Sequence, residues 1–193
     1  FEEMAPEKVE DGIVYLLVPE DLGPPPDTPE DVVVLQQPLG NIYLQATAAE
    51  SRFLLREPEE QTLTVEDEVQ FIRRKNEAER DLMLLAFVEG RYAGNCAINS
   101  HGDKLRVLHR CDIGIALYQE FCGQGLGTLM LTELLKIAKE CGYQQAELEV
   151  IAGNAPAMGL YKKLGFEVYG TRPRDLRYKD GTYADAHLMV KML

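Results

Sequence analysis

Metal-binding residues are few in this chain and do not cluster. The 193 residues include 3 histidines and 4 cysteines. No C-x-x-C pair occurs, and His101, His109 and His187 keep no ligand spacing with Cys96, Cys111, Cys122 or Cys141. A structural zinc site is therefore not expected, nor any other metal. Scattered cysteines fit reduced thiols and a cytoplasmic setting. Long apolar runs are also missing: none approaches the ~20 residues that span a bilayer. The first residues show no signal-peptide pattern, so no membrane partner is expected. Positive charge is scarce, with 20 Lys and Arg against 32 Asp and Glu, a formal net charge of -12. This balance disfavours nucleic acid and anionic membranes as partners and suits a cationic one, such as an amine.

What remains is a globular composition, 46% hydrophobic, in a length that suits one domain with a sizeable core. Residues 1–40 form a segment of different texture, acidic and proline-rich around Pro24-Pro25-Pro26. Short β-branched runs at 13–18 and 32–35 read as strands, either a strand pair of the main domain or an appended arm. Residues 41–193 form the main domain. Residues 41–56 begin as a helix, and Thr64 with Asp67 resembles a capping box for a helix over 65–76. Residues 82–89 and 92–99 read as a hairpin turning at Gly90-Arg91. A strand follows over 107–118, where Gly114 marks a bulge or a close backbone approach. Apolar spacing then predicts a helix from Leu126 to Cys141, ended by Gly142. A strand over 146–151 leads to a helix capped by Asn154, with Pro156 in its first turn and Gly165 after its end. Runs at 166–169 and 184–192 read as closing strands joined by Asp180-Gly181.

The segment Cys122-Gly-Gln-Gly-Leu-Gly127 lies between a strand and a helix. Alternate glycines tolerate φ > 0 and leave consecutive backbone N–H groups uncovered. The helix start adds unpaired N–H groups and the positive end of the dipole. Together these suit a phosphate or pyrophosphate. A P-loop is excluded because Thr128 follows Gly127 with no lysine. A dinucleotide loop would need one more residue between the second and third glycines, although Glu147 and Glu149 lie near the offset of its acid. An ordinary glycine turn is the plain alternative.

Downstream, Leu148-Glu-Val-Ile-Ala-Gly-Asn154, then Ala157, then Leu160-Tyr-Lys-Lys-Leu-Gly-Phe166 follow in order, and the chain closes on Asp185-Ala-His-Leu-Met-Val-Lys-Met-Leu193. Together with the glycine segment, residues 52–193 resemble the GNAT superfamily of acetyl-coenzyme A-dependent N-acetyltransferases. The resemblance implies an α+β (α/β-type) fold: a central mixed, mostly antiparallel twisted sheet flanked by helices. It implies acetyl-CoA as co-substrate and an N-acetyltransferase that modifies a primary amine by direct attack. A non-catalytic acyl-CoA sensor or interaction domain is the alternative. Where the family pattern has Arg or Gln, this chain has Cys122, so a side-chain contact to the cofactor is lost.

The same resemblance assigns roles. Tyr161 matches the general acid near the thioester sulfur, and a phenol that is protonated at neutral pH can serve a thiolate. Glu149 is the candidate base, directly or through water, with Asp112 and Glu120 behind it. The cofactor set is Leu117, Tyr118, Cys122, Gly123, Gln124, Gly125, Leu126, Gly127, Thr128, Asn154, Ala157 and Tyr161. Within it, the backbone at Leu117 and Tyr118 would pair with pantetheine amides like an added strand. With no histidine nearby in sequence, Cys122 reads as structural rather than nucleophilic. The acceptor, a small-molecule amine or a peptide or protein amine, would be met by residues 41–60, 100–106 and 171–183. A homodimer is among the arrangements these features allow.

Overall fold

The structure, a computed structural model, describes residues 12–17, 50–55, 57–60, 80–88 and 91–193. The expected strand at 32–35, the helix at 65–76, most of the 41–56 segment and Gly90 of the expected Gly90-Arg91 turn lie outside them, while Arg91 opens β3. Among the described residues seven strands form one sheet: β1 (Gly12–Leu17), β2 (Leu82–Val88), β3 (Arg91–Ser100), β4 (Arg110–Leu117), β5 (Gln145–Ile151), β6 (Glu167–Arg177) and β7 (Tyr183–Met192). Their order is β1-β2-β3-β4-β5-β7-β6. Every neighbouring pair is antiparallel except β4 with β5, so the sheet is mixed and mostly antiparallel, as expected. Residues 13–17 of the run read at 13–18 fall in β1, hydrogen-bonded along β2 into this same sheet.

A parallel pair needs a crossover, and α1 (Leu126–Glu140) supplies it between β4 and β5. Its inner face carries Leu126, Met130, Leu131, Leu134, Leu135 and Ala138, all buried against the sheet with Leu84, Cys96, Ile98 and Cys111. Leu134 is fully enclosed, so truncating it to alanine would cost about 2–5 kcal/mol. Gly142 ends the helix with φ 84°. The second helix, α2 (Ala155–Lys163), follows β5 and stops before Gly165, φ 86°. No helix among the described residues is long and apolar enough to cross a membrane.

Three expectations shift. The strand expected from 107 starts at Arg110, because residues 104–110 form consecutive turns, Val107 N–H to Lys104 O and Arg110 N–H to Val107 O. The close approach expected at Gly114 belongs to Gly94. A Cβ there would stand 2.3 Å from the Ala116 carbonyl oxygen, and the neighbouring β2–β3 register slips between Ala86 and Phe87. Around Gly114 a Cβ would meet nothing within 4 Å and the β3–β4 register is unbroken. Finally, β6 runs on through Arg177 instead of ending near 169. It is an edge strand with register shifts on either side of Gly170–Arg172, which suits Gly170 and Pro173.

Candidate active site

The site begins where the sheet opens. β4 and β5 stay in register only over Arg110–Gln145, Cys111–Ala146 and Asp112–Glu147. Beyond Asp112, β4 continues to Leu117 and β5 to Ile151 with no further pairing between them. The Tyr118 N–H donates to the Ala93 carbonyl at 2.9 Å, toward β3. By the alternation of an extended strand, the backbone groups of Ile113, Ile115 and Leu117 turn the other way, into the opening. The Tyr118 carbonyl accepts from the Phe121 N–H at 3.0 Å and from the Cys122 thiol at 3.5 Å. Both backbone groups of Tyr118 are thus engaged within the protein, while those of Leu117 face the opening.

The glycine segment closes one end of this opening. Gly123 and Gly125 take φ 77° and 92°, and Gly125 is the N-cap of α1. A Cβ on either would meet nothing within 4 Å, so space lies open above both. The Cys122 N–H donates to Gln119 and the Thr128 N–H to Gly125. The five amides between them, at residues 123–127, donate to no group among the described residues. The Gln124 side chain is held back by the Glu120 carbonyl at 2.6 Å. Gly127 is small for a packing reason: a Cβ there would come within 3.2 Å of Leu160 and 3.6 Å of Leu117. Leu126 points into the core. Burial and the nearby Glu50 raise the pKa of the Cys122 thiol, which opposes a thiolate and fits a structural cysteine.

The other end is built by α2. The Asn154 side chain accepts from the Ala157 N–H at 3.2 Å, capping the helix with Pro156 just inside it. Tyr161 is 8% exposed, set edge-on to Phe166 with ring centroids 6.0 Å apart. Its hydroxyl has no hydrogen-bond partner among the described residues, and burial alone pushes its pKa up to about 12.

A charged strip follows the β4–β5 junction. Glu147 is buried, and both its oxygens are held by Arg110, one at 2.7 Å, with Gln145 donating at 2.8 Å. Arg110 holds the Glu147 carboxyl below its ordinary value. Burial raises that of Asp112, and Glu147 and Glu149 add to the rise while His101 opposes it. Ligand atoms of His101, Asp112 and Glu147 lie within 4.8 Å of one another, but Arg110 already supplies the positive charge there. Glu149 is half-exposed and ion-paired with Arg172, which also binds Asp175. Glu120 is paired with Arg91 at 2.6 Å, away from the junction.

Residues 50–53 strap the open end. The Glu50 carboxylate accepts from the Gln119 N–H at 2.8 Å, just past β4. Phe53 lies 4.0 Å from the position of a Cβ on Gly153, just past β5. Beyond the strap a cavity of about 500 Å³ separates residues 51–60 from the end of β6, including Leu176 and Arg177. Residues 100–106 do not line it. Sequence reasoning named these segments but missed the strap and Arg172. Only an acid near Gln119 and a bulky residue opposite Gly153 could have signalled the strap, and both depend on the fold.

The sequence pattern of the acetyltransferase (GNAT) family matches residues 46–166. The chain is 29% identical over 110 residues to the L-amino acid N-acetyltransferase AaaT of Escherichia coli, a match covering 56% of this chain and 67% of the relative. Other curated matches span 52% and 47% of their own length. The GNAT-family acetyltransferase from Streptococcus pneumoniae superimposes with a TM-score of 0.73 at 29% identity, covering 78% of this chain and 90% of that one. The yncA protein of Salmonella typhimurium, solved with its cofactor acetyl-CoA, superimposes with a TM-score of 0.69 at 17% identity, covering 79% and 86%; at that identity the likeness is one of fold. The chain belongs to the GNAT family of acetyltransferases and is an acyltransferase enzyme of that family.

Proposed function

We propose that the protein transfers an acetyl group from acetyl-CoA to a primary amine by direct attack. The observation that carries this reading is the row of five amides at residues 123–127 that donate to no group among the described residues, set at the open end of a split sheet. Such a row, at a helix N-terminus, matches a pyrophosphate in charge and spacing. The Leu117 backbone is turned to pair with a pantetheine amide, and Asn154 and Ala157 border the arm at the start of α2. Bound acetyl-CoA would supply an activated thioester. The yncA fold neighbour, which carries acetyl-CoA, supports the choice of acyl donor.

The chain's own residues then account for the protons. The amine lone pair forms the new N–C bond as the C–S bond breaks. Glu149, oriented by Arg172, takes the proton from the amine directly or through one water. Tyr161 donates its proton to the departing thiolate and regains one from solvent. A phenol near 12 stays protonated across the neutral range. Burial raises thiols in this same core, Cys111 to about 12, so a thiolate leaving in such surroundings is a matched acceptor for the Tyr161 proton.

Thiol release from acetyl-CoA on a mixed amine and peptide library, with products read by mass, tests the reading. The expected result is acetylation of at least one amine class, lost or reduced ~100-fold in Tyr161→Phe. Coenzyme A binding without turnover on any amine would instead favour the non-catalytic sensor.

A further inference from the structure

We infer that the cavity beyond the strap binds a carboxylate of the acceptor through Arg52 and Arg177, which makes free amino acids the acceptor class. This rests on the acetyltransferase reading above. In a chain with 32 acidic residues, several arginines and lysines are already neutralised. Arg110 is held by Glu147, Arg172 by Glu149 and Asp175, Arg91 by Glu120, and Lys179 by Glu59 and, at 3.5 Å, by Glu57. Arg52 and Arg177 line the cavity and form no ion pair among the described residues. The Arg52 guanidinium carbon lies over the Tyr178 ring, 4.3 Å from its centroid, a cation–π contact that positions the group.

Glu57 and Glu60 also line the cavity, with Lys179 beside them, and each nearby carboxylate already has a hydrogen-bond or ion-pair partner. Glu57 faces Lys179, and Glu60 accepts from the Glu57 N–H at 2.8 Å. Asp180, close enough to feel Arg52, accepts from the Thr182 N–H at 2.8 Å and the Thr182 hydroxyl at 2.6 Å. Two fork-shaped donors facing a cavity match the geometry of a carboxylate better than that of an ammonium or an amide.

The cavity also adjoins the chemistry. Its wall at Ser51 and Arg52 belongs to the strap that crosses the β4–β5 opening, and its wall at Leu176 follows Asp175, which shares Arg172 with Glu149. An amino acid whose carboxylate is held by Arg52 and Arg177 would present its amine on the Glu149 side. A protein N-terminus has no carboxylate at that position.

The test compares L-amino acids with their matched α-amides and a short peptide panel, by thiol release from acetyl-CoA with the full chain. The wild-type protein should prefer an acid over its amide by about tenfold or more in kcat/KM. Arg52→Gln and Arg177→Gln should each raise KM for the acid by about tenfold, with kcat nearly unchanged and the amide unaffected; Arg→Lys should restore part of the loss. Equal use of acids and amides or peptides by the wild type would overturn the inference while leaving the acetyltransferase reading standing. So would variants that weaken acid and amide alike. No amine-dependent thiol release with any acid, amide or peptide would overturn both. The acid–amide comparison needs no variant, so it decides even where a substitution impairs folding.

Discussion

Replacing Tyr161 by phenylalanine separates its chemical role from its packing role. The ring is enclosed against Phe166, while the hydroxyl is buried with no partner among the described residues. Removing the oxygen preserves the packing and relieves a desolvated polar group, so stability at pH 7 should be unchanged or rise by up to about 1 kcal/mol. Acetyl transfer should fall about 100-fold or more if the hydroxyl is the proton donor. Alkaline pH adds a second readout. Burial lifts the Tyr161 pKa from the ordinary 10.0 to about 12. The folded state therefore favours the protonated phenol. That contribution is fully present below pH 10 and is lost as the pH rises from 10 toward 12, the loss reaching about 2 kcal/mol at the top of the window. Urea unfolding at pH 8, 10 and 11 should show wild type losing ground to Tyr161→Phe as the pH rises. Parallel curves for the two proteins would refute the buried, unpartnered hydroxyl. Undiminished turnover in Tyr161→Phe would refute the acid role even with the stability pattern intact.

Gly125→Ala forces an L side chain to φ 92° at the α1 N-cap, costing about 1–2 kcal/mol, and should weaken acetyl-CoA binding measured by calorimetry. Glu147→Gln leaves Arg110 without a charged partner and should cost about 1–3 kcal/mol at pH 7 by urea titration, since Arg110 is partly solvated. Arg110 holds the Glu147 carboxyl below 4.5, so this pair stabilises fully above that value and is lost as pH falls through the lower, folded one; the variant should show a flatter acid limb. Asn154→Ala removes the bond to the Ala157 N–H and should cost about 1 kcal/mol in thermal unfolding.

Local rules made much of the fold legible. Gly142 and Gly165 stand at positive φ where the helical patterns were read to stop, and Asn154 with Pro156 opens α2 as capping chemistry requires. Those signals are intrinsic to a few neighbouring residues. What failed depends on partners distant in sequence. Gly94, not Gly114, lies against the Ala116 carbonyl because strand-crossing geometry chooses the site of close approach. Residues 170–177, with glycine, proline and five charged or polar side chains, fall outside the strand read at 166–169 but extend β6 because β7 offers a ladder beside them. In the site, the glycine amides and Tyr161 were visible as residue types in order. The engagement of Tyr118 by Ala93, the clamp of Arg172 on Glu149 and the strap from Gln119 to Gly153 were not, since each joins segments separated by 23 residues or more.

The account stands most directly on the amides of residues 123–127. Backbone amide chemical shifts followed by NMR during titration with acetyl-CoA would observe them one by one. Saturable downfield shifts at Gly123, Gln124, Gly125, Leu126 and Gly127, larger than those of the sheet amides, are the predicted result. Saturable binding with those five resonances unmoved, or none at millimolar acetyl-CoA, would contradict it.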